Sequence, residues 1–499
     1  MSQIKKGAAL NYVSILLTNL IGLILTPYII SSLGDSEYGI YTTVGALIGT
    51  FSVLDFGLNN TIIRFVAKYQ AEKKPEEEEN FLAITMILYL IISSIVLLVG
   101  FGIYFNLDHY FTEMNLEEIK LAKTLFLILI FNIAIGLPGG AFTGISLGYE
   151  RFIFPKLISI IRYLLRSLLV FFLLYFGGRS MSIVILDTIF NVIVILTMFY
   201  FVNRKLKAKF KLHTFNKNYV KQIFAYSVWI FIYSIVAQFQ WKAGHIALGN
   251  ISTPEVLGIY AVGLMLGGYY GAFSSAITSV FVPRATQMIV LGASPESLTS
   301  EMIKIGRVSL FVLMFILGAF ILYGKQFVTL WVGDSYHISW TIALLIMLAY
   351  TIPLAQGFTG PLIEAKNKVA FKSITYLICL LLGTLLGYIL AMYYGSLGMI
   401  SGTIIGWVVA QNIMNVFYHK ALKLNIFRFF RETFNKILPS QILITLIGGA
   451  IMFIPGVGWL NFILKICLYS IVYFIVMYFI AVNDYEKGLI RQVTKKLSK

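Results

Sequence analysis

The sequence predicts an all-α integral membrane protein of about fourteen transmembrane helices, and three observations lead there. Of its 499 residues, 59% are hydrophobic and only 12% charged, roughly half the charged fraction of a soluble domain. The mean hydropathy is +0.84. Apolar runs of about 20 residues, the length that crosses a bilayer core as a helix, recur along the chain. They are too long and too unbroken to be barrel strands, which alternate apolar and polar residues.

In chain order the spans fall at 8–30, 38–57, 81–104, 124–145, 157–176, 181–202, 221–241 and 255–280. They continue at 306–323, 339–357, 370–392, 396–418, 438–455 and 459–482. The first is too long for a signal-peptide core and lacks a small-residue cleavage site, so it is expected to stay in the mature protein. The fourth is interrupted by Pro138-Gly139-Gly140, and the seventh runs into Trp241-Lys242.

Orientation follows from the basic residues. Alternate loops and the span ends beside them hold 33 of the 39 Lys and Arg residues, and the opposite side keeps only Lys120, Lys123, Arg179, Lys242, Lys325 and Lys465. The positive-inside rule makes the basic side cytoplasmic, with both termini on it. The net charge of +17 is therefore mostly topology, and no soluble stretch is long enough to form a nucleic-acid-binding module. Arg204 to Lys211 reads as an ordinary basic loop, with a basic interfacial helix as the competing reading. Pro75-Glu-Glu-Glu-Glu79 reads as a solvated turn and helix start. Cys379 and Cys467 sit in apolar spans without CxxC spacing, which predicts neither a disulfide framework nor a metal site.

The chain also repeats itself. Gly39-Ile40-Tyr41 recurs as Gly258-Ile259-Tyr260, Phe142-Thr143-Gly144 as Phe358-Thr359-Gly360, and Tyr175-Phe176-Gly177 as Tyr393-Tyr394-Gly395, at offsets of 219, 216 and 218. An even shift of six spans preserves orientation, so the two halves are parallel repeats about an axis along the membrane normal. This divides the chain into a six-helix lobe over 1–210, a second over 211–425, and a terminal helix pair with a basic tail over 426–499. Two such lobes suit alternating access, with substrate held near the midplane. Gly45-xxx-Gly49, Gly263-xxx-Gly267 and Gly398, Gly402 and Gly406 read as helix-packing positions.

Leu33-Gly-Asp-Ser-Glu-Tyr-Gly-Ile-Tyr41, Leu54-Asp-Phe-Gly-Leu58 and Arg64-Phe-Val-Ala-Lys-Tyr69 together resemble the N-terminal signature of polysaccharide and O-antigen (Wzx-type) flippases. These belong to the multidrug/oligosaccharidyl-lipid/polysaccharide exporter (MOP) superfamily. Leu248-Gly249 followed by Thr253-Pro-Glu-Val-Leu-Gly-Ile-Tyr260 resembles the matching second-lobe signature. The resemblance implies a bacterial cell-membrane flippase that moves an undecaprenyl-diphosphate-linked oligosaccharide outward for polysaccharide biosynthesis. It implies no cofactor or covalent chemistry, with energy from an ion gradient or the membrane potential. The implied partners are membrane lipids, the lipid-linked oligosaccharide and polysaccharide-assembly proteins. Multidrug export and peptidoglycan-precursor (lipid II) flipping are the alternatives within the superfamily.

Ionisable groups inside spans are costly unless they face a cavity or a partner, which makes them candidates for function. Arg162 and Arg166 lie one turn apart in span 5; with Arg64 and Arg284 they are the candidates for binding the diphosphate, since the guanidinium fork pairs with phosphate oxygens. Snorkelling anchors at the cytoplasmic interface are the competing reading. Tyr226, Tyr233 and Gln238 in span 7, with Asn11 and Asn19 in span 1, are sugar-contact candidates, against an alternative of aromatic-belt and packing roles. Asp55, Asp187 and His245 are ion-coupling candidates; Asp55 equally suits a helix end or a pair with Arg64, and His245 an ordinary place at the outer interface.

Two departures from the family pattern matter. Drug exporters of the superfamily often carry a span 1 acid, where this chain has the uncharged stripe Asn11, Ser14, Thr18 and Gly22. Sugar flippases often carry an Asp shortly before the Leu-Gly that ends span 7, where this chain has Gly244-His245. An enzyme is disfavoured. The chain has no metal-ligand cluster, GxSxG or Walker loop, and its outer loops are too short for a glycosyltransferase or polymerase site.

Overall fold

The computed structural model describes residues 3–214, 231–232, 234–279, 285, 287–289, 291–366, 368–484 and 486–488. The described residues are helical with short connections, and twelve helices are long and apolar enough to cross a membrane. The fold is all-α, as expected. By backbone contacts the chain divides into two compact units, Met1–Ala261 with Thr384–Met399, and Val262–Gly383 with Ile400–Lys499.

The first unit begins with α1 (Gln3–Leu33) and α2 (Asp35–Thr50). A 3-10 turn, Phe51–Asp55, then leads to α3 (Leu58–Glu72). Phe56 and Gly57, both at positive φ, re-aim the chain there. The expected second span therefore becomes two helices joined by a bend inside one apolar stretch, Asp35–Glu72. Next come α4 (Pro75–Tyr110), α5 (Leu116–Gly148), α6 (Ile153–Tyr175) and α7 (Ser180–Tyr200). The π-turn Phe239–Ala243 overlaps the end of the expected seventh span, 221–241, most of which lies outside the described residues, and α8 (Gly244–Gly249) follows.

Proline does not stop α5. Pro138 has no N–H for the carbonyl four residues back, Ala134, and in hydrocarbon that oxygen needs another donor. Ser93 Oγ of α4 supplies it at 2.7 Å. Gly139 faces α7, where a Cβ would lie 2.5 Å from Cγ1 of Ile195, so the two helices meet closely.

The acidic run is not uniformly solvated. Glu76 is exposed and Glu77 half-buried, but Glu78 is buried and accepts from Gln70 Nε2 and Tyr149 Oη, each at 2.5 Å. Burial and the Glu78 carboxylate push the Tyr149 phenol up. Glu79 pairs with Lys209 and His213, and Asn80 Oδ1 accepts the backbone N–H of His213 and Thr214. Residues 207–214 are non-helical, with Lys207 at positive φ, so Arg204 to Lys211 ends as a basic loop strapped to α4.

In the second unit, α9 (Pro254–Ser279) enters from the first unit and α10 (Pro295–Val332), α11 (His337–Ala355) and α12 (Thr359–Ala365) follow. Gly263 and Gly267 of α9 lie against Ile342 and Ile346 of α11, as their spacing predicts. The 53-residue α13 (Val369–Ala421) serves both expected spans 370–392 and 396–418, because Gly395 breaks it at φ 56°, ψ −138°. Its arms pack through glycine, with a Cβ on Gly383 falling 2.9 Å from the Gly406 Cα.

A short amphipathic helix, α14 (Ile426–Phe434), buries Ile426 and Phe429 and leads to α15 (Ile437–Met452) and α16 (Gly458–Val476). Arg307 of α10 is buried and fully engaged. It donates to Glu486 at 2.7 and 3.1 Å, to the Glu432 carbonyl at 3.0 Å and to the Ala481 carbonyl at 2.7 Å.

Gly406→Ala would drive a Cβ into the Cys379 carbonyl, whereas a Cβ on Gly45, despite its GxxxG spacing, meets nothing within 4 Å among the described residues. Gly406→Ala is expected to cost about 1–3 kcal/mol, as overpacking does, and to lower the thermal midpoint in detergent. Gly45→Ala should leave that midpoint unchanged.

Candidate functional site

A cavity of about 700 Å³ opens inside the first unit, within the ~300–1,000 Å³ range of small-molecule sites. Each wall follows from helical spacing. On α5, Leu129, Asn132, Ile133, Gly136, Leu137 and Gly140 recur three and four residues apart on one face. The glycines keep that wall low. Ser14 and Thr18 of α1, Ser159, Arg162, Tyr163 and Arg166 of α6, and Asp187 and Asn191 of α7 supply further faces. Ser52, Asp55 and Asn59 come from the bend between α2 and α3.

The polar groups hold one another in place. Asn132 Nδ2 donates to Thr188 Oγ1 at 2.7 Å, and Asn191 Nδ2 lies 3.2 Å from the Asn132 carbonyl. Tyr163 Oη donates to the Thr18 carbonyl at 3.0 Å. Asn59 Oδ1 is buried with no hydrogen bond of its own.

Four charged side chains line the cavity, and they are not equivalent. Arg166 and Asp187 form a bidentate pair, Nε to Oδ1 at 2.5 Å and Nη2 to Oδ2 at 2.9 Å. Asp55 accepts from Tyr89 Oη at 2.7 Å and, at 3.4 Å, from the Asn59 amide. That contact lies in the first turn of α3, whose N-cap is Gly57. Arg162, half-buried on the same face as Arg166, makes no hydrogen bond or ion pair among the described residues. Its donors are the ones left for an anion, and bidentate geometry suits phosphate.

The other candidates fall elsewhere. Arg64 is exposed on α3 and does not line the cavity. Arg284, Tyr226 and Tyr233 lie outside the described residues, as does the side chain of Asn11. Asn19 is on α1 but off the cavity wall. Gln238 Nε2 donates to Ser52 Oγ at 3.1 Å, which brings it to the cavity rim.

His245 is buried within the first unit. Its Nε2 lies 2.9 Å from Thr43 Oγ1, whose own proton goes to the Gly39 carbonyl at 2.8 Å. The hydroxyl therefore accepts from the ring, so Nε2 carries the hydrogen.

Asn59, Asn132, Asn191 and Tyr163 escaped the sequence reading. A usable signal existed in the helical spacing of Asp55-Asn59 and Asp187-Asn191, and in Asn132-Gly136-Gly140.

The sequence family described as "Polysaccharide biosynthesis protein" matches residues 4–289, more than half of the chain. The chain belongs to that family. It is similar to a putative O-antigen transporter of Shigella flexneri, 22% identical over 404 residues, covering 79% of this chain and 92% of that one. Its fold is that of the lipid II flippase MurJ in an inward closed conformation, with a TM-score of 0.71, 16% identity, and 96% and 99% of the two chains covered. A multidrug resistance MATE family transporter of the MOP superfamily, in an inward-facing conformation, matches with a TM-score of 0.60 at 15% identity, over 83% of this chain and 98% of that one.

The Arg166–Asp187 pair predicts a stability result. Asp187→Asn strands Arg166 and should cost up to about 3 kcal/mol, the lower end for a buried pair, because the two side chains remain 20% and 23% exposed. Replacing both, as Arg166→Met with Asp187→Leu, should recover most of the loss in a detergent thermal melt.

Proposed function

We propose that this protein is a flippase that carries a lipid-linked oligosaccharide across a bacterial cell membrane by alternating access, with the Arg162 cavity receiving the diphosphate. The observation that carries the reading is a half-buried guanidinium that makes no hydrogen bond among the described residues, in a cavity lined by polar groups of a multi-pass membrane protein. Membership of the polysaccharide biosynthesis family and the similarity to a putative O-antigen transporter support it. In this reading the basic side is cytoplasmic, with both termini there. The two lobes of the repeat alternate access around the substrate, and polysaccharide-assembly proteins supply and receive it.

The two arginines divide the work. Arg166, held by Asp187, orients the wall; Arg162 meets the phosphate oxygens, and the Asn and Ser side chains meet sugar hydroxyls. Asp55 has hydrogen-bond donors around it and, among the described residues, no cationic partner, so ion coupling is assigned to it before Asp187 or His245. The protein makes and breaks no covalent bond.

Deletion of the gene followed by lipid extraction tests the reading. An undecaprenyl-linked oligosaccharide should accumulate on the inner leaflet. Unchanged lipid intermediates with new drug sensitivity would replace the reading by a drug exporter, and accumulated lipid II by a peptidoglycan-precursor flippase. Restoring Arg162→Ala in place of the wild type should leave transport at least about tenfold down, a loss of about 1.4 kcal/mol or more, with normal membrane insertion. Arg162→Lys should fall between the two, because a point charge replaces the planar fork.

A further inference from the structure

Lys242 has no role in this account, and its surroundings are unusual for a lysine in an apolar helix. It lies on the π-turn Phe239–Ala243, a widened turn of the kind that often marks functional positions. Its side chain is half-buried and makes no hydrogen bond or ion pair among the described residues. It lies over Gly49 of α2, where any Cβ would collide with Nζ.

The place is next to the cavity. Ser52, one turn after Gly49, lines the cavity, donates to the Gly49 carbonyl at 2.7 Å, and accepts from Gln238 at 3.1 Å. Gln238 in turn is one turn before Lys242. The Gln238–Lys242 face therefore runs along Gly49 and Ser52, and the ammonium lies within a turn of the cavity wall. Arg166 in the same unit has a carboxylate, and Asp55 has a phenol and an amide. Lys242 has no such partner among the described residues, and an ammonium in an apolar helix is costly unless something anionic or wet meets it.

We infer that Lys242 is a second anion-binding position beside the Arg162 cavity, taking one of the two phosphate groups of the lipid diphosphate. The inference rests on the proposed flippase reading and adds the discrimination between one phosphate and two. A compact ammonium with three rotatable donors suits a single phosphate as a point charge, while Arg162 grips the other.

The test uses the full-length protein in nanodiscs, with geranyl diphosphate and geranyl monophosphate as probes and binding read by calorimetry. The wild type should bind the diphosphate more tightly. Lys242→Met should weaken diphosphate binding about tenfold and leave monophosphate binding unchanged, while Lys242→Arg keeps the preference. Gly49→Ala, which displaces the ammonium without removing it, should reproduce Lys242→Met, and Arg162→Met should weaken both probes. If the wild type prefers the diphosphate and both Lys242→Met and Gly49→Ala keep that preference, the Lys242 assignment is wrong and the flippase reading stands. If the wild type binds neither probe, the diphosphate reading itself fails and Lys242 with it.

Discussion

A peptide carbonyl or a charged side chain in hydrocarbon must find a partner or a wet cavity, and the arrangement of this protein follows from how each one does so. Pro138 would ordinarily be a liability in α5, yet the carbonyl it frees accepts from Ser93 of the neighbouring helix. That hydrogen bond lets α5 run unbroken and present Asn132, Gly136 and Gly140 as one wall of the cavity. Asp187 would be costly alone in α7, and Arg166 answers it from α6. The cavity is thus framed by interactions that exist because the membrane forbids leaving polar groups unmatched.

The same constraint separates structural cations from functional ones. Arg307 spends its donors on Glu486 and two backbone carbonyls, tying α10 to the segment after α16 and to α14. Arg166 spends its donors on Asp187. Arg162 and Lys242 spend none among the described residues. Charge alone does not distinguish these four side chains; the geometry of their neighbours does. A cation already matched holds helices together, and an unmatched one beside a polar cavity is available to a ligand.

Much of the fold was legible in advance. Apolar runs of bilayer length announced the helices, and the acidic start at Pro75 and the glycine pair Gly263 and Gly267 behaved as their local chemistry requires. Gly45 did not, because a small residue permits close approach without requiring it, and none of the described residues approaches there. Glu78 was hidden for a related reason. Its burial depends on Gln70 and Tyr149, which arrive from other helices. The candidate site was half legible: Arg162, Arg166, Asp55 and Asp187 stood out as charges in apolar runs, whereas the asparagines around them did not.

The sequence by itself determined that the chain is a bundle of membrane helices, because hydropathy is a sum over local residues and needs no partner. Its signatures also pointed to the polysaccharide family. Only the tertiary structure decided which charges cancel. Arg162 and Arg166 are one turn apart and chemically identical, yet among the described residues the α7 carboxylate hydrogen-bonds to Arg166 and not to Arg162. Pairing is a relation between helices distant in sequence, and it is fixed by packing rather than by spacing within one helix.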